Sequence, residues 1–209
     1  MANRIDGRRL RSQQTRRKML DAAMKLFVRH GYGLTTIESI AQESGVAVQT
    51  IYFSFGNKEQ ILKELIDLHV AGDDDPVPTL ERPQVVEALS LDDPRELVRA
   101  LAGMTRVINE RVVPLLEVLR NAVISSGNGA ELWETNKEQR RMVQRRFVEV
   151  LAEKGALAED LDIDRAVDTC YVVLGPEVYH LFVTERGWSP AQWESWVHQD
   201  LCGHLLAGR

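Results

Sequence analysis

The sequence predicts an all-α protein with a small N-terminal three-helix unit and a larger helical body, about nine helices in all. Three observations carry this. Apolar residues recur at a 3.6-residue period along almost the whole chain, with no convincing run of strict alternation. Helix start signals recur: Thr35 with Glu38, Asn57 with Gln60, Asp93 before Pro94, and Ser189 before Pro190 with Gln192. Glycines such as Gly31, Gly33 and Gly45 stand where the periodic stretches stop.

Taken in order, the first helix carries Leu20, Ala23, Met24 and Phe27 on one face and ends at Gly31 and Gly33. A capping box at Thr35 and Glu38 opens a short helix with Ile37, Ile40 and Ala41 inward, and Gly45 stops it. A second short helix runs from about Ala47 to Phe53. Asn57 then caps a longer one bearing Ile61, Leu62, Leu65 and Ile66. Residues 73–78, Asp-Asp-Asp-Pro-Val-Pro, break the pattern and read as a loop. Beyond it, Asp93 and Pro94 start a helix with Leu97, Leu101, Met104 and Ile108, and Pro114 kinks or divides it from the apolar run 115–124. A turn at 125–129 precedes a long helix to about Lys154. Another begins near Asp164 and extends past Pro176 to Leu181, bent at that proline; the last starts at Ser189. The domain boundary is drawn at 57/58, giving a head of 1–57 and a body of 58–209.

Composition narrows the function classes. Of 209 residues 44% are hydrophobic and 27% charged, the balance of a soluble domain with a sizeable core. No apolar run approaches the roughly 18 residues of a membrane span. The first 20 residues carry seven Arg or Lys and no apolar stretch, so no secretory signal is expected. Cys170 and Cys202 sit in apolar helical patterns and read as buried thiols of a reducing cytoplasm. The five histidines share no metal-ligand spacing, and no catalytic motif or cofactor loop is present, so neither a metal, a cofactor nor an enzyme is expected. The net charge of −5 is unevenly divided: residues 1–70 carry +4 and residues 71–209 carry −9. A basic head on an acidic body points to a polyanion met by the head; a solvated N-terminal arm is the plainer alternative.

Residues 35–55 hold the most information. Two short helices meet at Ser44-Gly45-Val46, where glycine suits the positive φ of a tight turn. At about 100° per residue, Ala47, Ile51, Ser54 and Phe55 point one way, and Val48, Gln49, Tyr52 and Phe53 the other. The second set is chemically what a major-groove reader uses. Gln49 can pair with an adenine edge, and Val48 or Phe53 can pack on a thymine methyl. Thr36, Thr50, Tyr52 and Lys58 place hydroxyls or a charge where phosphates would lie. An incidental aromatic face on a small helical cap is the competing explanation.

The stretch Thr35-Thr36-Ile37-Glu38-Ser39-Ile40-Ala41, then Ser44-Gly45-Val46-Ala47-Val48-Gln49-Thr50-Ile51-Tyr52-Phe53-Ser54-Phe55-Gly56-Asn57-Lys58-Glu59, resembles the TetR (tetracycline-repressor) family. The resemblance spans about residues 15–66 without a gap. It implies a homodimeric helix-turn-helix regulator of transcription whose second short helix enters the major groove of a pseudo-palindromic operator in double-stranded DNA. It also implies phosphate contacts at Thr36, Thr50, Tyr52 and Lys58 and base contacts at Val48, Gln49 and Phe53. Val48 and Gln49 replace the basic or small residues commoner there, so no operator sequence transfers. Arg4, Arg8, Arg9 and Arg11 of the basic arm are candidates for further phosphate or minor-groove contact.

The body matches the family in architecture only, which implies an effector cavity and two final helices pairing with a second subunit. Met104, Ile108, Leu119, Val143, Phe147 and Tyr171 lie at inward spacings and are candidate cavity residues for a small, mainly apolar effector; ordinary core packing is the alternative. Val178, Leu181, Phe182, Trp193, Trp196, Val197 and Leu201 form a candidate dimer surface, with intrachain core as the alternative. Arg140-Arg141 and Arg145-Arg146 read first as a solvated face and second as partners of an anionic ligand or of acids on the same helix.

Overall fold

The computed structural model describes residues 2–73, 75 and 77–207, with 2–10 described by their backbone alone. The elements are α1 (Ala2–Leu34), α2 (Ile37–Ser44), α3 (Val48–Phe55), α4 (Lys58–Ala71), α5 (Pro83–Leu89), α6 (Pro94–Ser126), α7 (Ala130–Glu153), α8 (Ile163–Val173), α9 (Pro176–Tyr179) and α10 (Pro190–Leu205). Among the described residues no strand forms; Leu157 and Leu206 make an isolated antiparallel bridge. The chain groups into two compact units. The head comprises Met1–Leu68 and Pro114–Trp133, and the body comprises His69–Val113 and Glu134–Arg209. The head thus runs on to Leu68 instead of stopping at residue 57, and it includes a segment from the middle of the chain.

In the head, Phe27, Ile40, Ile51, Ile61 and Leu62 are sealed from solvent, one apolar stripe from each of α1 to α4. The start of α2 differs by one residue from the expected box. Thr36 is the N-cap: its hydroxyl accepts from the Ser39 amide at 3.1 Å, and the Ser39 hydroxyl accepts from the Thr36 amide at 3.0 Å. Thr35 is unavailable because it is buried, its own hydroxyl donating to the Gly31 carbonyl at 2.8 Å. Gly45 closes α2 in the left-handed region at φ 69°, which glycine adopts without the strain most side chains would bring. Asn57 accepts from the Gln60 amide at 2.8 Å and opens α4 as expected.

Two expectations are corrected and one helix is added. α6 is not divided at Pro114, which lacks only the amide that the Glu110 carbonyl would have met. No element was expected between residue 78 and Asp93, where a short 3-10 turn at 79–81 leads into α5, with Pro83 in the first turn. The helix beginning at Asp164 does not bend at Pro176 but stops at Val173 and restarts there as α9, which passes into a wider π turn over 180–185. Asp162 caps α8 by accepting from the Arg165 amide, and Ser189 with Gln192 caps α10 reciprocally as the sequence predicts. Cys170 and Cys202 are both buried and free, and burial pushes the Cys170 thiol up to about 12, far from reactive.

Candidate nucleic-acid interface and effector cavity

α3 has two contrasting sides. Ile51 and Phe55 are buried, whereas Gln49 is exposed, Tyr52 is 49% exposed and Phe53 is 94% exposed. Val48 and Thr50 are half-buried, and Thr36 is exposed at the start of α2. Two further contacts brace α3. Arg16 donates to the Ser54 carbonyl at 3.0 Å, pairs with Glu64, and lays its guanidinium 4.3 Å from the Phe55 ring centroid. Neither Arg16 nor the Thr35–Gly31 tether is visible in a pattern of types and spacings, because each spans residues remote in sequence or competes with an equally good cap.

Lys58 is placed differently from a free phosphate hook. Its ammonium donates to the Tyr32 and Thr35 carbonyls at 2.7 and 2.8 Å and sits 4.1 Å from the Tyr32 ring centroid. Burial pushes its pKa below the usual lysine value. The side chain therefore ties the start of α4 to the end of α1. Arg11 is exposed on α1. The side chains of Arg4, Arg8 and Arg9 lie outside the described residues; their backbone continues α1 as helix.

The body contains a half-open cavity of about 370 Å³, near the lower end of the range for small-molecule sites. Met104 and Ile108 on α6 and Val143 and Phe147 on α7 line it, so four of the six candidate residues come together. Leu119 does not: it is buried in the head, where its Cδ1 fills the space a side chain on Gly129 would need. Tyr171 lies outside this cavity too, beneath the Arg140 guanidinium, 5.2 Å from its ring centroid and 3.4 Å from Arg140 to the hydroxyl. The cavity wall also contains Arg82, Arg106 and Arg111, cations that an inward apolar period could not indicate.

Residues 19–65 match the family model of bacterial regulatory proteins, tetR family. Over that region the chain is similar to the TetR family. It is 29% identical over 177 residues to the uncharacterized HTH-type transcriptional regulator YdeS of Bacillus subtilis (strain 168), covering 84% of this chain and 82% of that protein. A putative TetR-family transcriptional regulator from Syntrophomonas wolfei has the same fold, with a TM-score of 0.74 at 20% identity over 94% of this chain and 99% of that one. So does SmeT, solved as a complex with triclosan, with a TM-score of 0.69 at 18% identity and 92% coverage of each chain. These similarities support a helix-turn-helix, DNA-binding regulator of transcription.

In the body of this chain the expected dimer surface divides. Trp193, Val197 and Leu201 are wholly buried in the body's own core, with Trp193 packed edge-on against Tyr179 at 5.0 Å between ring centroids. These three face inward because α10 must cover α8, and every third or fourth residue serves that contact. Leu181 is 50% exposed, and Val178, Phe182 and Trp196 are half-buried. Phe182 stacks obliquely on Trp188 and Trp196 at 4.5 and 4.7 Å. The α7 arginines stay partly exposed, as first expected, and of their acid partners only that of Arg146 is on the same helix while those of Arg141 and Arg145 are on α8. Arg141 pairs with Asp168 at 3.2 Å, Arg145 pairs with Asp164, and Arg146 pairs with Glu153 at 2.9 Å. Among the described residues no helix is long and apolar enough to cross a membrane.

Proposed function

We propose that the protein is a cytoplasmic repressor that binds a pseudo-palindromic operator as a homodimer and is released by a small-molecule effector held in the body cavity. The observation that carries this reading is the exposed face of α3. Phe53 at 94% and Tyr52 at 49% exposure are costly to leave in water, and beside them Gln49 offers an amide for a base edge. Phe53 and Val48 pack on thymine methyls in this scheme, Gln49 reads an adenine, and Thr36, Thr50 and Tyr52 hold phosphates. Lys58 holds the head together and adds its charge to the same surface, and Arg11, with Arg4, Arg8 and Arg9, supplies further phosphate contacts. A dimer joined through Leu181, Phe182, Val178 and Trp196 presents two copies of α3 to major grooves about 34–36 Å apart.

An effector shifts such a dimer only through its different affinities for the DNA-competent and DNA-incompetent states. SmeT, seen with triclosan, supports a small-molecule site on this fold, and the cavity lined by Met104, Ile108, Val143 and Phe147 supports its place. Nothing in this scheme requires catalysis or a cofactor.

Selection from a random duplex library at near-physiological salt tests the proposal. An enriched inverted repeat is the expected result. No enrichment by a folded dimer overturns it and favours a second reading, a small-molecule sequestering protein. That alternative draws on Lys58, whose ammonium is engaged by two carbonyls of the head.

A further inference from the structure

Among the described residues three guanidiniums and no carboxylate line the body cavity, although residues 71–209 carry a net charge of −9. Two of the three are neutralised. Arg82 grips Asp73 with two hydrogen bonds of 2.8 and 3.0 Å and also donates to the Asp75 carbonyl. Arg106 meets Glu194 at 2.5 Å and Glu110 at 2.6 Å. Arg111 is different. Its Nε donates to the Val107 carbonyl at 3.1 Å, and among the described residues its Nη1 and Nη2 make neither a hydrogen bond nor an ion pair. Asp73, already held by Arg82, feels Arg111 only through space.

The backbone makes room for this side chain. Gly72 stands at φ +86°, and a Cβ there would come within 2.1 Å of Arg111 Nη1. Any other residue at 72 would be strained and would push the guanidinium off its seat. Around the charge, Leu101, Met104, Ile108, Val143 and Phe147 give the cavity an apolar wall. An arginine with two free, parallel donors matches a carboxylate, and a pairing of that kind strengthens where apolar walls exclude water.

We infer that the effector is an amphipathic organic anion whose carboxylate accepts from Arg111 Nη1 and Nη2 while its apolar part packs on Met104, Ile108 and Phe147. This rests on the proposed effector role of the cavity and replaces a mainly apolar effector with a charged one. Met104 adapts its shape to varied apolar bodies, so the charge, not the outline, is the discriminating feature.

The test uses the full chain and matched probes: octanoate against octanamide, and naphthoate against naphthamide, with binding followed by calorimetry. Each carboxylate is expected to bind at least about tenfold tighter than its amide, the scale of a charge-assisted pair. Arg111→Gln is expected to erase that preference, and Arg111→Lys to keep part of it. Gly72→Ala is expected to narrow it from a second position. Circular dichroism and thermal midpoints certify that each variant is folded. Equal affinity for acid and amide, a preference that survives Arg111→Gln, or no binding of any probe overturns the inference. Release of the selected duplex is measured alongside. Carboxylate binding without release leaves the anion site standing and removes the effector role, whereas release by the amides as efficiently as by the acids does the reverse.

Discussion

In the head, Tyr52 and Phe53 stand in solvent on a helix whose opposite side, Ile51 and Phe55, is closed. In the body, Trp193 and Phe147 are enclosed, and Phe182, Trp188 and Trp196 lean on one another at 4.5 and 4.7 Å. The head accepts exposed aromatic surface on α3 while its core mixes Phe27, Tyr32 and Phe55 with aliphatic residues. The body uses its large rings as core and keeps its distinctive chemistry, three guanidiniums, in a cavity wall. Large apolar groups left in water mark surfaces whose gain comes from a partner. The contrast therefore separates residues that hold the fold from residues that act.

The strongest way to break the contrast is at Trp193. Trp193→Ala removes a wholly buried ring and is expected to cost about 3–5 kcal/mol, read as a lower midpoint in urea denaturation. Trp193→Phe is expected to cost much less than that, because the indole Nε1 is buried without an acceptor among the described residues and losing it also relieves a desolvation penalty of about 1–3 kcal/mol. If both substitutions cost the same, the indole N–H has a partner in solution. The head's counterpart is Ile51→Ala, expected to cost about 2–5 kcal/mol and to abolish duplex binding by loosening the seat of α3.

Next in size is Lys58→Met. It deprives the Tyr32 and Thr35 carbonyls of their donor and is expected to lower stability by about 1–2 kcal/mol, the charged-bond value discounted for a half-buried group. Because burial holds the Lys58 pKa below its usual 10.5, the unfolded chain keeps this proton to higher pH than the folded one. Raising the pH from neutral to beyond 10.5 is therefore expected to increase the wild-type advantage over Lys58→Met. A pH-independent difference between the two proteins would show that the ammonium is fully hydrated in solution.

These variants also show what a sequence can and cannot reveal. The head was legible because its signals are local: the Gly45 turn, the Asn57 cap, the split of α3 into Ile51 and Phe55 on one side and Gln49, Tyr52 and Phe53 on the other. Where two local solutions compete, legibility fails. Thr35 and Thr36 are equally good caps on paper, and only the burial of Thr35 against the Gly31 carbonyl decides between them. In the body, periodicity found the inward faces but not what they meet. Trp193, Val197 and Leu201 have the spacing of an interface and also of a core, and α8 claims them for the core. Leu119 has the spacing of a cavity residue yet belongs to the head. Arg111 escaped notice because polar residues in a helical pattern are by default assigned to solvent and its setting depends on the remote Gly72, and Arg82 because it stands outside every expected helix, paired with Asp73.

A smaller and directional effect is expected at Asp73. The Arg82 guanidinium holds its carboxylate below the usual 3.8, so the pair stabilises the fold above that pH and the contribution fades as pH falls through the lowered value. Asp73→Asn is expected to lower the thermal midpoint at neutral pH and to show less further loss on acidification below about pH 4 than the wild type does. Identical acid profiles for the two proteins would mean that Arg82 finds another partner.

The least effect on stability, and the sharpest on function, is expected at Phe53. At 94% exposure its ring contributes almost nothing to the folded state, so Phe53→Ala is expected to change stability by no more than about 0.5 kcal/mol. Affinity for the duplex recovered by selection should nevertheless fall, and most at sites where a thymine faces α3, because a methyl contact is specific to that base. Tyr52→Ala, by contrast, is expected to weaken all duplexes about equally, as the loss of a phosphate contact does, and Gln49→Ala to change which bases are preferred. If Phe53→Ala binds every duplex as tightly as the wild type, the exposed ring is not part of the readout. The contrast between a head that acts through exposed aromatics and a body that buries them would then rest on Tyr52 alone.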